Sequence, residues 1–342
     1  MSTVDISLLQ ETAIKYAKDL KTLAFAVMAP RLGAMGISVI EDIQNKDVLT
    51  NFERKAGIAK PYVAGTVENA EVGKAVESVL EVFLAYANVK DNIQNYKKVA
   101  VGPDVLLGKN KGKKHPWQMI MLTSIIKTFG EDILFNSLFH ATRDEADRSP
   151  LGIFNGYHTV LDNLITAEKI AVAQGNYDTS IGAITAPTDE ADHDAADQIL
   201  GFYRKSNRFL KDRPSILLMS HELADIYDDA YRNMTRFKPE YDEYGRTVLH
   251  GSQKKCTIVR SSEIGDGQRM ILTTPGNLQF GMDKMNDANF VQVRDREEDP
   301  NVVQFWIQSQ YGTRIRSFNK KELFINNQSE GSVNALSGDY IS

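Results

Sequence analysis

The chain of 342 residues is 42% hydrophobic and 25% charged, with 40 Lys and Arg against 45 Asp and Glu, a net charge of -5. At roughly 150 residues per domain, this length predicts two domains with a sizeable core, and the composition excludes a disordered, collagenous or coiled-coil protein. Weak acidity without a block of six like charges argues against a general electrostatic grip on nucleic acid. The single cysteine, Cys256, cannot close an internal disulfide, and without a CxxC pair for zinc a reducing compartment is expected.

Residues 5–28 carry a helical period through Leu8, Leu9, Ala13, Tyr16, Leu20, Leu23 and Ala24, which Pro30 and Gly33 are expected to end. The apolar run 22–30 is too short to span a bilayer and follows Asp5, Glu11 and Asp19, the wrong flank for a signal peptide. A soluble chain made in the cytoplasm, without a cleaved signal or membrane partner, is expected. Residues 37–43 favour a strand. Residues 51–74 are polar, Gly-rich and poor in apolar periodicity. Ordinary connections run about 4–6 residues, so this length predicts a functional loop or arm. The run 76–89 reads two ways. Val76, Val79, Leu80, Phe83, Leu84 and Ala87 share a helix face, while Leu80, Val82, Leu84 and Tyr86 alternate as in a strand.

The longest helical signal is HPWQMIMLTSIIKTFGEDILFNSLFHA, residues 115–141. Pro116 suits its first turn, and Gly130 is expected to weaken its middle by about 1 kcal/mol relative to Ala. Unbroken, it would be a rod of about 40 Å, long enough to bridge subdomains. An α/β texture follows. Thr188 is expected to cap a helix with Asp189 and Glu190 in its first turn and Ile199, Leu200 and Tyr203 on its apolar side. SILLMS (215–220) reads as a buried strand, with Ser220 starting the next helix, and CTIVRS (256–261) and RMILTT (269–274) as further buried strands. Residues 290–318 alternate in a different way, with Val303, Phe305 and Ile307 on one face and Gln304, Trp306 and Gln308 on the other. EEDPN turns between two long strands there, and residues 328–342 form a polar tail expected to be mobile.

The motifs that could carry chemistry are weak. GPDVLLGKN (102–110) has five residues between its glycines and Asn110 after Lys109, so it lacks the spacing and hydroxyl of a phosphate loop. The basic run KNKGKK (109–114) has no interleaved aromatic and reads as a solvated loop. TDEADHDAAD (188–197) lacks calcium-loop spacing and reads as an acidic helix start. The six histidines are scattered, there is no HExxH or GxSxG, and Cys256 falls in a strand where a buried thiol is inert. No catalytic, metal or cofactor residue is assigned.

The element order and one region carry a resemblance. CTIVRSSEIGDGQRMILTTPGNLQFGMDK (256–284), with its TPxNLxxG stretch, and VQVRDREEDPNVVQFWIQSQYGTRI (291–315), with its DP turn and late YGxRI, resemble the major capsid proteins of tailed double-stranded DNA bacteriophages. SPLGIFNGYHTVL (149–161) is similar to that family's passage from helix to axial domain. The resemblance implies an α+β Hong Kong 97-type capsid fold. In it, residues 1–35 are an N-terminal arm and 36–92 an extended loop. Residues 93–151 and 286–327 are a peripheral domain with a spine helix at about 115–141. Residues 152–285 are an axial domain and 328–342 a C-terminal tail.

It further implies a structural virion protein without a catalytic site, self-assembling into hexamers and pentamers around DNA held without sequence specificity. Portal and separate scaffolding proteins are the expected partners, because the arm is too short to carry a fused scaffold. An extended hairpin cannot bury its own surface, so its tip residues Phe52, Arg54, Lys55, Ile58, Lys60 and Tyr62 are the expected inter-subunit contacts. No pair is assigned to a covalent crosslink. Two alternatives stand beside this: an encapsulin-like nanocompartment shell, and a hydrolase or transferase using the 188–197 acidic run with His193 or Asp194.

Overall fold

A strand of fourteen residues, β11 (Val302–Ile315), organises the chain. The computed structural model describes residues 17–54, 59, 73–92, 117–283, 291–295 and 302–332. One edge of β11 pairs antiparallel with β4 (Phe83–Asn92). Its other edge is shared by β10 (Val291–Asp295) and then β9 (Leu278–Met282), to which β1 (Ser38–Ile40) adds in parallel. The expected alternation holds: Val303, Phe305 and Ile307 are fully buried while Gln304, Trp306 and Gln308 face outward. The DP turn lies outside the described residues.

Two helices cover the apolar face of this first sheet. Helix α1 (Ala17–Ala34) buries Ala24, Met28 and Leu32, four residues apart. It runs through both Pro30 and Gly33, which corrects their expected role as terminators. Pro30 sits on the exposed side, so the carbonyl its missing N–H leaves free is not sealed in the core. The end is set by Gly36 at φ 68°, with Gly36 N–H bonded to Gly33 O at 3.0 Å and Ile37 N–H to Leu32 O at 2.9 Å. This is a Schellman cap, whose left-handed residue favours glycine.

Helix α2 (Trp117–Asp132) continues through a π-helical turn (Ile133–Ser137) to His140, a rod of about 36 Å at 1.5 Å per residue. The expected rod is present, and its π turn was not foreseen. Gly130 corrects another expectation: a Cβ there would lie 2.9 Å from the Ala24 carbonyl oxygen of α1, so the residue permits close helix approach. The ambiguous run 76–89 is strand on both sides of Val82, in β3 (Gly73–Glu81) and β4. Ser78, Leu80 and Val82 are buried, and burial resumes at Ala85, so the alternation slips by one residue at the interruption after Glu81.

After the 3-10 turn Pro150–Gly152 and α3 (Tyr157–Thr166), the chain builds a second five-stranded sheet. Its order is β5 (Tyr177–Asp178), β12 (Leu323–Asn326), β8 (Ile271–Thr273), β6 (Ser215–Met219) and β7 (Cys256–Arg260). Helices α4 (Asp194–Lys205) and α6 (His221–Thr235) cover one face, and the short α5 (Arg208–Asp212) leads into β6. Every residue of β6 is buried: Ile216 and Leu218 join the core beneath α1 and α2, while Leu217 and Met219 join the core beneath α4 and α6. That double burial produces its unbroken apolar run.

Ser220 caps α6 as expected, accepting from Leu223 N–H at 3.2 Å. Thr188 caps nothing: α4 starts at Asp194, and Asp189 and Asp192 instead fold the preceding turn by accepting backbone N–H groups. Residues 328–332 are tied rather than free, correcting that part of the expected tail. Gln328 Nε2 donates to Ile181 O at 2.6 Å and Ser332 N–H to Asp266 Oδ1 at 2.6 Å.

Candidate assembly surface

Between β1 and β4 the chain leaves the first sheet as a hairpin. Strand β2 (Lys46–Arg54) pairs with β3 in nine consecutive registers, from Lys46 opposite Glu81 to Arg54 opposite Gly73. A two-stranded hairpin is marginal alone in water, so its root must be held by the body. Gly281 of β9 and Gly312 of β11 are cross-strand partners and leave a bare patch of backbone there. A Cβ on Gly281 would sit 2.8 Å from Leu80 Cδ2, and one on Gly312 would overlap the Glu81 carbonyl oxygen. Leu80 and Val82 fill the space with Ile40 and Ile43, a small apolar cluster of their own.

Polar groups lock the same root. Arg314, whose side chain is 3% exposed, donates from Nη1 to the Asp47 carboxylate at 2.9 Å and the Asp47 carbonyl at 3.3 Å. Its Nε donates to Gln279 Oε1 at 2.8 Å. Ser78 Oγ donates to Ile315 O at 2.5 Å, and Asn51 Nδ2 to Arg316 O. Asn277, buried beside them, donates to Ser317 O and accepts from Ser317 N–H at 2.9 Å each.

The hairpin has two unlike faces because strand side chains alternate. Asp47, Leu49 and Asn51 on β2, with Val76, Ser78 and Leu80 on β3, form the less exposed face, and several of them make the root contacts above. Val48 opposite Val79 and Phe52 opposite Ala75 lie on the other, where Val48 is 48%, Val79 40% and Phe52 56% exposed. Solvated strands ordinarily carry polar groups there. A second uncovered strip follows on β4, where exposed Leu84 precedes Tyr86, stacked on Trp306 at 5.2 Å between ring centroids. Among the described strands β4 pairs with β11 alone. Its other edge borders a groove of about 770 Å³ lined by Phe129 of α2, Ile133 of the π-helical turn and the 143–153 loop.

Of the residues expected at the hairpin tip, Phe52 is on the exposed face. Arg54 closes the β2 ladder against Gly73, while its side chain and Lys55, Ile58, Lys60 and Tyr62 lie outside the described residues. Sequence reasoning missed Val48 and Val79, whose signal was simple alternation on either side of the polar excursion. It also gave no role to Gly281, Gly312 or Arg314, although all three stand in the TPxNLxxG and YGxRI stretches.

The 102–110 and 109–114 motifs lie outside the described residues, while the acidic run 188–197 is bound up in its own turn. Asn233 Nδ2 donates to the Asp189 and Asp192 carbonyls, and backbone N–H groups from Thr188 and Asp194 hold the Asp192 carboxyl below the usual range. Among the described residues, no cluster of three His, Cys, Asp or Glu side chains could hold a metal. No described helix is long and apolar enough to cross a membrane. Burial pushes the Cys256 thiol up to about 12. His140 at the end of the rod and His158 on α3 face each other at 5.0 Å between ring centroids. Burial pushes both below the ordinary imidazole range, with Arg269 adding in the same direction.

No protein-family model and no curated protein matches the sequence. Solved structures do. A chain of the satellite phage P4 procapsid is 13% identical over 90% of this chain and 99% of its own, with a TM-score of 0.50. A chain of the capsid of an empty GTA particle is 12% identical over 86% and 88%, also at 0.50. An encapsulin complex from Synechococcus elongatus aligns at 12% identity over 90% and 88%, at 0.45. This likeness is one of fold: the chain is built on the Hong Kong 97-type fold, as the resemblance implied.

Proposed function

We propose that the chain is the major capsid protein of a tailed double-stranded DNA phage, assembling with copies of itself into hexamers and pentamers of an icosahedral or prolate shell. The observation that carries this reading is the hairpin: firmly seated at its root, yet apolar and uncovered on its outer face at Val48, Phe52 and Val79. A body invests in a rigid mount for a sticky limb when another copy receives it. Arg54, Lys55, Ile58, Lys60 and Tyr62 would extend the same contact. The fold shared with the P4 procapsid chain supports the reading.

In this reading residues 93–151 and 286–327 form the peripheral domain and 152–285 the axial domain, with β12 lent to the axial sheet. The role is structural, in a virion assembled in the host cytoplasm. Scaffolding protein and portal are the expected partners, and packaged DNA is enclosed without sequence readout. Negative-stain microscopy and light scattering of the full chain, alone and with co-expressed phage partners, test it. Closed shells are expected. Small oligomers under every condition would refute the proposal, and shells enclosing a protein cargo without nucleic acid would move it to a nanocompartment.

A further inference from the structure

The net charge of -5 is spread unevenly over the chain. Three segments, 168–178, 203–213 and 316–322, hold nine Lys and Arg against four Asp and Glu, whereas the remainder holds 31 against 41. Folding brings the three together. Strand β12 pairs with β5, Asn176 Nδ2 donates to Phe318 O at 2.7 Å, and Lys169 Nζ stands 5.6 Å from the Phe318 ring centroid. Lys321 Nζ stands 4.7 Å from the ring centroid of Phe209 on α5, and Arg213 reaches Glu322 at 3.6 Å. Because the charge is gathered from three separate stretches, no basic block announces it in the sequence.

Two of the four carboxylates are already paired: Glu322 with Arg213 and Arg316, and Asp178 with Lys205. Among the described residues, Arg204, Arg208, Lys211, Lys320 and Lys321 have no carboxylate within ion-pair distance, and all but Lys211 are exposed. Lys211 lies against the Tyr203 ring and donates to the Arg204 carbonyl. Burial first, and then the Arg208 charge, pushes its ammonium below the ordinary range. Like charges held side by side repel, and an anion arriving from outside relieves that repulsion.

The patch suits a line of phosphates better than a protein. Protein contacts centre on an apolar core, whereas nucleic-acid interfaces are polar and strongly positive. Val172 and Phe209 are the large apolar side chains exposed in these segments, and a cation already stands over the Phe209 ring. We infer that the patch binds double-stranded DNA through its phosphates, with Arg204, Arg208, Lys211, Lys320 and Lys321 as the contacts. Phosphate contacts carry no base information, so binding is indifferent to sequence. The inference rests on the shell reading for the choice of DNA and deepens it, naming the part of the subunit that meets the enclosed genome.

Fluorescence anisotropy of a short labelled duplex, titrated with the full-length chain, tests it. Neutralising five phosphates gives a slope of about -4.5 in log affinity against log salt, so binding should weaken roughly 500-fold between about 50 and 200 mM. Two unrelated duplexes should bind alike. The variant R208Q/K320Q/K321Q, altered at three exposed positions, should weaken only about twelvefold over the same range. A charge-matched variant, R232Q/K238Q/K254Q, removes exposed cations outside the patch and should keep the wild-type slope. Thermal melts check each fold, and R208Q alone, with its slope reduced by about 0.9, decides the case if the triple variant melts low. Absence of salt-dependent binding, an equal loss in the charge-matched variant, or capture of polyglutamate in place of the duplex overturns the inference and leaves the shell reading standing. A chain that binds the duplex in this way yet never builds shells ends that reading alone.

Discussion

Replacing Arg314 by methionine tests whether the hairpin is mounted as described. The change keeps the buried volume and removes three hydrogen bonds, two to Asp47 and one to Gln279. Hydrogen bonds to charged groups contribute about 1.5–3 kcal/mol each when buried. The Asp47 side chain is 46% exposed and regains water when released, so the sum is discounted to about 2 kcal/mol. Because the bonds tie β2 to the body, the loss should fall on local opening of the hairpin. About 2 kcal/mol corresponds to roughly thirtyfold faster exchange of its amides. Hydrogen exchange read by mass spectrometry should show that acceleration across 46–54 and 73–81, with β6 and β7 unchanged. Uniform acceleration across the molecule, or no change in the hairpin, would refute the mounting argument.

Three further outcomes are expected. Serine at Val48, Phe52 and Val79 together should leave the melting temperature of the unassembled subunit within about 2 °C, since these side chains are already exposed, while the yield of shells falls at least tenfold; a large loss of subunit stability would place them in the core. Gly130→Ala, which in an open helix would stabilise by about 1 kcal/mol, should instead destabilise by about 1–3 kcal/mol in urea melts, because the methyl meets the Ala24 carbonyl. Acid should weaken the joint around His140 and His158. Their folded values lie below the unfolded value, so the unfolded chain takes up protons first, and stability present above about pH 6.5 is lost as pH falls, by up to about 1.4 kcal/mol per unit per histidine. Melts between pH 7.5 and 5.5 should show this slope, reduced in H158Q; an unchanged slope would refute it.

What the sequence made legible follows from how local each cause is. The faces of β11, the buried run of β6 and the Ser220 cap are each written in a few adjacent residues, and each stands as read. Gly130, Pro30 and Thr188 misled because their roles are decided elsewhere in the chain. A neighbouring helix turns Gly130 from a weakness into a contact, Gly36 supplies the terminator that Pro30 does not, and the Asp189 and Asp192 carboxylates take the turn that Thr188 was expected to cap. The ambiguity at 76–89 had a physical source. Its alternation changes phase at Val82, so neither a single strand nor a single helix face fits the whole run. Gly281, Gly312 and Arg314 were visible as a pattern, yet their work depends on residues more than two hundred positions away along the chain, which no local spacing reveals.

The pairing of β11 with β4 has a consequence for synthesis. Val302 lies opposite Asn92, so the first sheet joins segments more than two hundred residues apart along the chain. On the ribosome, α4, β6, α6 and β7 are contiguous and can gather as soon as they emerge. The earlier strand β4 and both covering helices must wait, apolar sides bare, until β11 emerges. A nascent chain therefore holds the apolar side of β4 without its partner for as long as synthesis takes to reach β11.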